Sequence, residues 1–152
     1  MSRDDELNEL RQRMELARRM GGDEKLQRHR DQGRLPVRER IDALVDAGSF
    51  VEVGALAGSG RYDDDGKLVD FTPSNLVFGR ARIDRRPAVV VGDDFTVRGG
   101  ASDGAVGDKM IVAEKMAHDL RVPIVRLVDG TCGGGSVKTI EQKGYTLLPK
   151  VR

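Results

Sequence analysis

Two glycine-rich segments hold the chemistry this chain can offer, and they hold it in backbone amides rather than in side chains. The first is Arg98-Gly99-Gly100-Ala101-Ser102-Asp103-Gly104, and the second is Asp129-Gly130-Thr131-Cys132-Gly133-Gly134-Gly135-Ser136. Glycine lets backbone take positive φ and approach a ligand closely, so neighbouring N–H groups can converge on one atom. Amides exposed at a helix N-terminus add partial positive charge. Two such loops side by side can form an anion cradle or an oxyanion hole for a polarised carbonyl. The Gly99-Gly100 pair alone fits a tight turn equally well. Three consecutive glycines, Gly133 to Gly135, exceed what a simple turn before a helix needs.

Familiar nucleotide loops do not fit. A phosphate-binding loop needs glycine immediately before its lysine and another five residues earlier. Val137 and Cys132 stand there instead, before Lys138. The dinucleotide fingerprint fails because Lys138 occupies the place of its last glycine. Side chains for acid–base or nucleophilic work are scarce. His29 and His118 fall in predicted helices without the neighbours of a triad, and His118 reads as a helix-surface residue. Cys132 could be activated by a helix dipole, but without a placed base it reads as loop packing. The Asp63-Asp64-Asp65 run lacks the spacing and terminal glutamate of a calcium loop and reads as a polar turn.

The elements that must position these loops are legible from periodicity. Leu76 to Ile83 alternates as a strand, with Leu76 and Phe78 on one face and Val77, Ala81 and Ile83 on the other. Asp84 to Pro87 supplies a turn, and Ala88 to Val91 returns as a fully buried strand. The first glycine loop follows it. A helix then places Val106, Met110, Ala113, Ala117 and Leu120 on one face, Pro123 ends the turn, and Ile124 to Val128 reads as a second buried strand. The second glycine loop follows that strand, and Ser136 can cap another helix. Strand, loop, helix, strand is a βαβ unit with parallel strands. Both loops therefore open at the carboxyl ends of the strands, where open α/β sheets bind ligands.

The N-terminal third differs in composition. Of the first 40 residues 20 are charged, against 31 of the remaining 112. Leu7, Leu10, Met14 and Ala17 recur at helical spacing until Gly21-Gly22, and a short helix is predicted from Asp23 to Gly33. Pro36 then opens a helix whose stripe is Val37, Ile41, Leu44 and Val45, followed by Phe50 to Val53 as a short strand. We therefore expect a charged helical arm over 1–48 and an incomplete α/β domain over 49–152. The arm reads either as plain surface helix or as a docking arm for a neighbouring subunit, since its stripe suggests no local partner.

Composition excludes several classes. The formal net charge is +1, which gives no long-range attraction to nucleic acid or to an anionic membrane. No apolar run approaches the ~20 residues of a membrane span. A single cysteine rules out an intramolecular disulfide and a four-cysteine zinc site, and no metal is expected in this chain. The N-terminus has no apolar signal core and is too acidic for a mitochondrial transit peptide, so a cytoplasmic protein is expected.

Three segments resemble the carboxyltransferase β subunits of biotin-dependent acyl-CoA carboxylases, of the propionyl-CoA type. They are Gly33 to Ile41 continuing through Leu44 and Asp46 to Glu52, Val89 to Gly100, and Lys109 to Gly135. The order of all three is more specific than any one glycine motif. The resemblance implies a crotonase-like α/β fold of ββα units stacked in a superhelix, of which this chain would be the N-terminal part.

The resemblance also implies the chemistry. Gly134 and Gly135 would hold the thioester enolate oxygen as the catalytic amides. Gly99, Gly100 and Ala101 would border the acyl-CoA thioester, with Gly133 and Ser136 beside it. In this family carboxybiotin releases carbon dioxide, its ureido nitrogen takes the α-proton, and the enolate attacks the carbon dioxide. A base carried by biotin explains the missing histidine. The implied partners are a biotin carboxylase and biotin carboxyl carrier subunit, the second half of the carboxyltransferase, and further copies of the chain. The chain alone is expected to be inactive. The second glycine loop is longer than the family's usual Asp-Ser-Gly-Gly-Ala-Arg. Two alternatives stay open: a non-catalytic acyl-CoA-binding or assembly subunit, and an acyl-CoA decarboxylase subunit using the same enolate hole.

Overall fold

A valine-rich strand, clamped between helices on its two faces, organises the molecule. The computed structural model describes residues 3–100 and 107–130, with Glu141 and Gly144. Three helices come first: α1 (Arg3–Arg18), α2 (Asp23–Asp31) and α3 (Val37–Leu44). Strands β1 (Val51–Val53), β2 (Gly58–Tyr62), β3 (Leu68–Pro73), β4 (Leu76–Ile83) and β5 (Arg86–Asp93) follow, then α4 (Gly107–Leu120) and β6 (Ile124–Leu127). The main sheet has the order β1-β4-β5-β6, and β2 pairs with β3 in a separate two-stranded ribbon.

The β4–β5 hairpin turns on Asp84 and Arg85, whose φ values of 49° and 66° give the left-handed backbone that suits the twist of a two-residue hairpin. The turn is shorter than the Asp84–Pro87 segment expected. Pro87 lies within β5, opposite Arg82. It precedes Val89, where pairing with β6 begins, so its missing N–H costs no bond to that strand.

Alternation in β4 sorts the core as the sequence predicts. Leu76 and Phe78 join Val89, Val91, Ala113 and Ala117 under α4, with Met110 at the margin. Val77, Ala81 and Val90 pack on the opposite face against Val37 and Ile41. The stripe of α3, for which the sequence suggested no partner, therefore has a local one: the sheet itself. Val37 and Ile41 are each only 1% exposed. By contrast α1 keeps Leu7, Leu10 and Met14 partly exposed, buries Ala17, and rests on β3 through Gln12 Nε2, which donates to Leu68 O at 3.2 Å.

Two expectations about burial are corrected. Ile124 to Val128 is not a buried strand: β6 is the edge strand of the described sheet, with Ile124 41% and Val128 66% exposed. Leu120 leaves the apolar face of α4, being 49% exposed where the helix ends beyond the sheet. The aspartate run between β2 and β3 is a side-chain-braced turn, in which Asp63 Oδ1 accepts from the N–H groups of Asp65 and Lys67 at 3.1 and 2.8 Å.

Candidate active site

Strands β5 and β6 are parallel, with Val89 opposite Ile124 and Gly92 opposite Leu127. The chain segments leaving them therefore share one edge of the sheet. After β5 the backbone turns through Arg98, Gly99 and Gly100, with φ values of 54°, 65° and 67°. Gly100 N donates to Val97 O at 3.0 Å, closing that turn. Three successive left-handed residues explain why two of them are glycine, and Arg98 carries the strain a side chain adds there.

The turn bears directly on the start of the second glycine loop. A Cβ added at Gly100 would lie 2.7 Å from Gly130 Cα and 3.3 Å from Asp129 O. One added at Gly130 would lie 3.1 Å from Gly100 O and 3.2 Å from Asp93 Oδ2. The two loops meet backbone to backbone, with no space for a side chain at Gly100. Of the residues proposed from the sequence, Gly100 lies in this junction and Gly99 in the turn beside it. Ala101, Gly133, Gly134, Gly135 and Ser136 lie outside the described residues, as does Cys132.

Behind the junction is a polar cluster that sequence reasoning missed. His29 on α2 is buried, stacks on Phe95 at 6.0 Å between ring centroids, and places Nε2 3.3 Å from Asp129 Oδ2. Arg40 on α3 donates to Asp93 O at 2.6 Å and lies 3.5 Å from the same Asp129 oxygen. Asp129 N in turn faces Asp93 Oδ2 at 3.4 Å, and Arg126 lies 3.6 Å from Asp93 Oδ1. The one available signal was that Arg40 falls within the family-like Gly33–Ile41 segment. Nothing local marks His29, because its partner is a hundred residues away in the chain.

A second polar group lies on the other side of Asp93. Asp94 is buried, and its Oδ1 accepts from Thr96 N at 2.9 Å and Thr96 Oγ1 at 2.6 Å. Burial pushes this carboxyl above the usual carboxylate range, against the Thr96 hydrogen bonds and the nearby Arg38 and His29. Lys109, in the first turns of α4, is 9% exposed and donates to Leu76 O at 2.6 Å. Burial lowers its ammonium from 10.5 to about 8, with Glu52 opposing the shift and Arg38 adding to it. Arg38 and Glu52 form a two-pronged pair at 2.7 and 3.1 Å close by. Among the described residues, no group of His, Cys, Asp and Glu is arranged to hold a metal ion.

The Lys109 shift has a stability consequence. Between about pH 8 and 10.5 the unfolded chain holds a proton that the folded chain has released, so unfolding free energy rises with pH across that window. Lys109→Met keeps the stem and removes the charge. Denaturant unfolding should show the native protein gaining up to ~3 kcal/mol relative to the variant from pH 7.5 to 10.5. A difference that stays flat over that range contradicts the burial of a titrating amine.

Residues 28–148 match the carboxyl transferase domain family. The chain belongs to that family. This carboxyl transferase domain is 33% identical over 132 residues to the methylcrotonoyl-CoA carboxylase beta chain of Dictyostelium discoideum, covering 86% of this chain and 21% of that protein. It is 35% identical over 121 residues to the human mitochondrial propionyl-CoA carboxylase beta chain, covering 78% of this chain and 22% of that one. Among known structures it superposes on transcarboxylase 12S, a hexamer with methylmalonyl-CoA bound, at TM-score 0.71 and 25% identity. That match covers 86% of this chain and 26% of transcarboxylase. The central sheet flanked by helices is thus the crotonase-like α/β fold expected from the sequence. The chain spans about a fifth of the length of the curated relatives it matches.

Proposed function

We propose that this domain supplies the acyl-CoA side of a biotin-dependent carboxyltransferase, which moves a carboxyl group from carboxybiotin to the α-carbon of a propionyl-CoA-like thioester. The observation that carries this is the close packing of Gly100 on Gly130, backbone against backbone, where the two glycine loops leave the carboxyl ends of two parallel strands. Glycine loops held together this closely can present amides rather than side chains to a thioester oxygen, and fixed amide donors stabilise the charge that develops there as the α-proton leaves. Gly134 and Gly135 are assigned as the donors, with Gly99, Gly100, Ala101, Gly133 and Ser136 bordering the acyl-CoA. The described polar side chains at this edge are engaged with one another: His29 and Arg40 with Asp129, and Arg126 with Asp93. Their part is to hold the turns.

When delivered, carboxybiotin supplies the carboxyl group and the base for the α-proton. Its recognition is assigned to the complementary half of the carboxyltransferase. The proposed partners are that half, a biotin carboxylase with its biotin carrier, and further copies of this chain. Purified with those partners, the enzyme should fix bicarbonate into an acyl-CoA in an ATP-dependent reaction that avidin blocks. Saturable acyl-CoA binding without any fixation would instead indicate a binding or assembly subunit.

A further inference from the structure

The N-terminal segment touches the residues flanking the glycine junction at three points. Gly21 N, at the joint of α1 and α2, donates to Thr96 Oγ1 at 3.0 Å, and a Cβ there would strike Thr96 O at 2.1 Å. The ring of His29 lies on Phe95 and its Nε2 faces Asp129. Arg40 holds Asp93 O and also approaches Asp129. The residues gripped, Asp93 to Thr96 and Asp129, are the roots of the two loops whose backbones meet at Gly100 and Gly130. A surface arm needs no buried histidine at 4% exposure aimed at a carboxylate on a distant strand end.

We propose that His29, acting with Arg40, is a positioning residue that fixes the second glycine loop against the first by holding Asp129. The proposal deepens the reading of this edge as an acyl-CoA enolate site and rests on it for its kinetic consequence. Arg40 spans both strand ends, through Asp93 O and Asp129 Oδ2, and His29 adds the shorter contact to the same Asp129 oxygen at 3.3 Å. Without that anchor Asp129 keeps only the longer contacts, its carboxylate to Arg40 at 3.5 Å and its N–H to Asp93 Oδ2 at 3.4 Å, and Gly130 is freer to move away from Gly100. A displacement of about 1 Å at a catalytic constellation can cost roughly a hundredfold in rate. Because His29 is not assigned a contact with the acyl-CoA, its loss should lower kcat while leaving KM for the thioester nearly unchanged.

The test compares His29→Ala with His29→Gln, whose amide nitrogen can reach the place of Nε2, in the assembled enzyme. Amide hydrogen exchange reads the anchor without any assay of function. In His29→Ala, exchange at Asp129 and Gly130 should quicken roughly tenfold or more, as expected for a lost charge-assisted contact, while β4 stays protected. His29→Gln should restore protection. In steady-state kinetics, His29→Ala should lose ~10–100-fold in kcat with KM within about threefold, and His29→Gln should recover most of it. Unchanged exchange at Asp129 and Gly130 in His29→Ala overturns the proposal. So does a His29→Gln protein as loose as the alanine variant, or a kinetic defect confined to KM. If His29→Ala does not fold, Asp129→Ala replaces it, with the same exchange expected at Gly130 and the same overturning result. A wild-type enzyme that loosens as described on mutation but carboxylates no acyl-CoA refutes the proposed function, not the anchor.

Discussion

Gly100→Ala should cripple carboxylation in the assembled enzyme, by roughly a hundredfold in kcat. Two penalties coincide at this position. The φ of 67° is strained for any residue bearing a Cβ. The Cβ itself would lie 2.7 Å from Gly130 Cα, a backbone atom that cannot rotate away as a side chain can. The turn must therefore open or Gly130 must retreat, and either movement separates the loops. Gly99→Ala is the comparison, with KM for the acyl-CoA measured beside kcat because Gly99 is itself assigned to the substrate border. Its φ of 65° imposes a similar backbone strain, but among the described residues beyond its chain neighbours no atom lies within 4 Å of an added Cβ. Steady-state kinetics with melting temperatures should show comparable destabilisation of the two variants and a much larger loss of kcat for Gly100→Ala. Equal losses of kcat at unchanged KM would mean that backbone strain, not contact between the loops, governs the site.

Gly134→Val and Gly135→Val should each lower turnover by ~10²–10³-fold, the usual cost of one oxyanion donor. On the proposed assignment, a β-branched side chain there obstructs the approach of the amides to the thioester oxygen. Cys132→Ser should be nearly silent, because the thiol is assigned no chemical role. Carboxylation rates measured beside CoA binding separate the two possibilities. If Cys132→Ser abolishes turnover while both glycine variants keep it, chemistry by the thiol replaces chemistry by amides.

Strands β1, β4, β5 and β6, and the two faces of β4, were readable because their signal is local, whereas the β2–β3 ribbon was not anticipated. Period-two alternation in Leu76 to Ile83 placed each side chain on the face where it packs, and the run of valines marked the buried strand. A parallel pair joined by a helix then required the two glycine loops to share an edge. What the sequence concealed depends on distant neighbours. Ile-Val-Arg-Leu-Val has the composition of a buried strand, but exposure of β6 is decided by what lies beside it in the sheet. The α3 stripe looked orphaned because its partner, the β4–β5 hairpin, comes some forty residues later. His29 carries no local mark at all, since only the fold brings a residue of α2 to Asp129. The same applies to Lys109, a charged residue in an amphipathic helix whose amine ends inside the protein.

The most direct test is a single-turnover chase. The biotin carrier is charged with labelled carboxyl group, freed of ATP and bicarbonate, and mixed with the assembled carboxyltransferase containing this chain and a panel of short acyl-CoA thioesters. We expect label to leave the carrier and appear on the α-carbon of at least one acyl-CoA in stoichiometric amount, with the transfer slowed ~10²–10³-fold by Gly135→Val. Label that remains on the carrier, or is released only as bicarbonate at a rate indifferent to the acyl-CoA and to Gly135→Val, would contradict a carboxyltransferase built on these glycine loops.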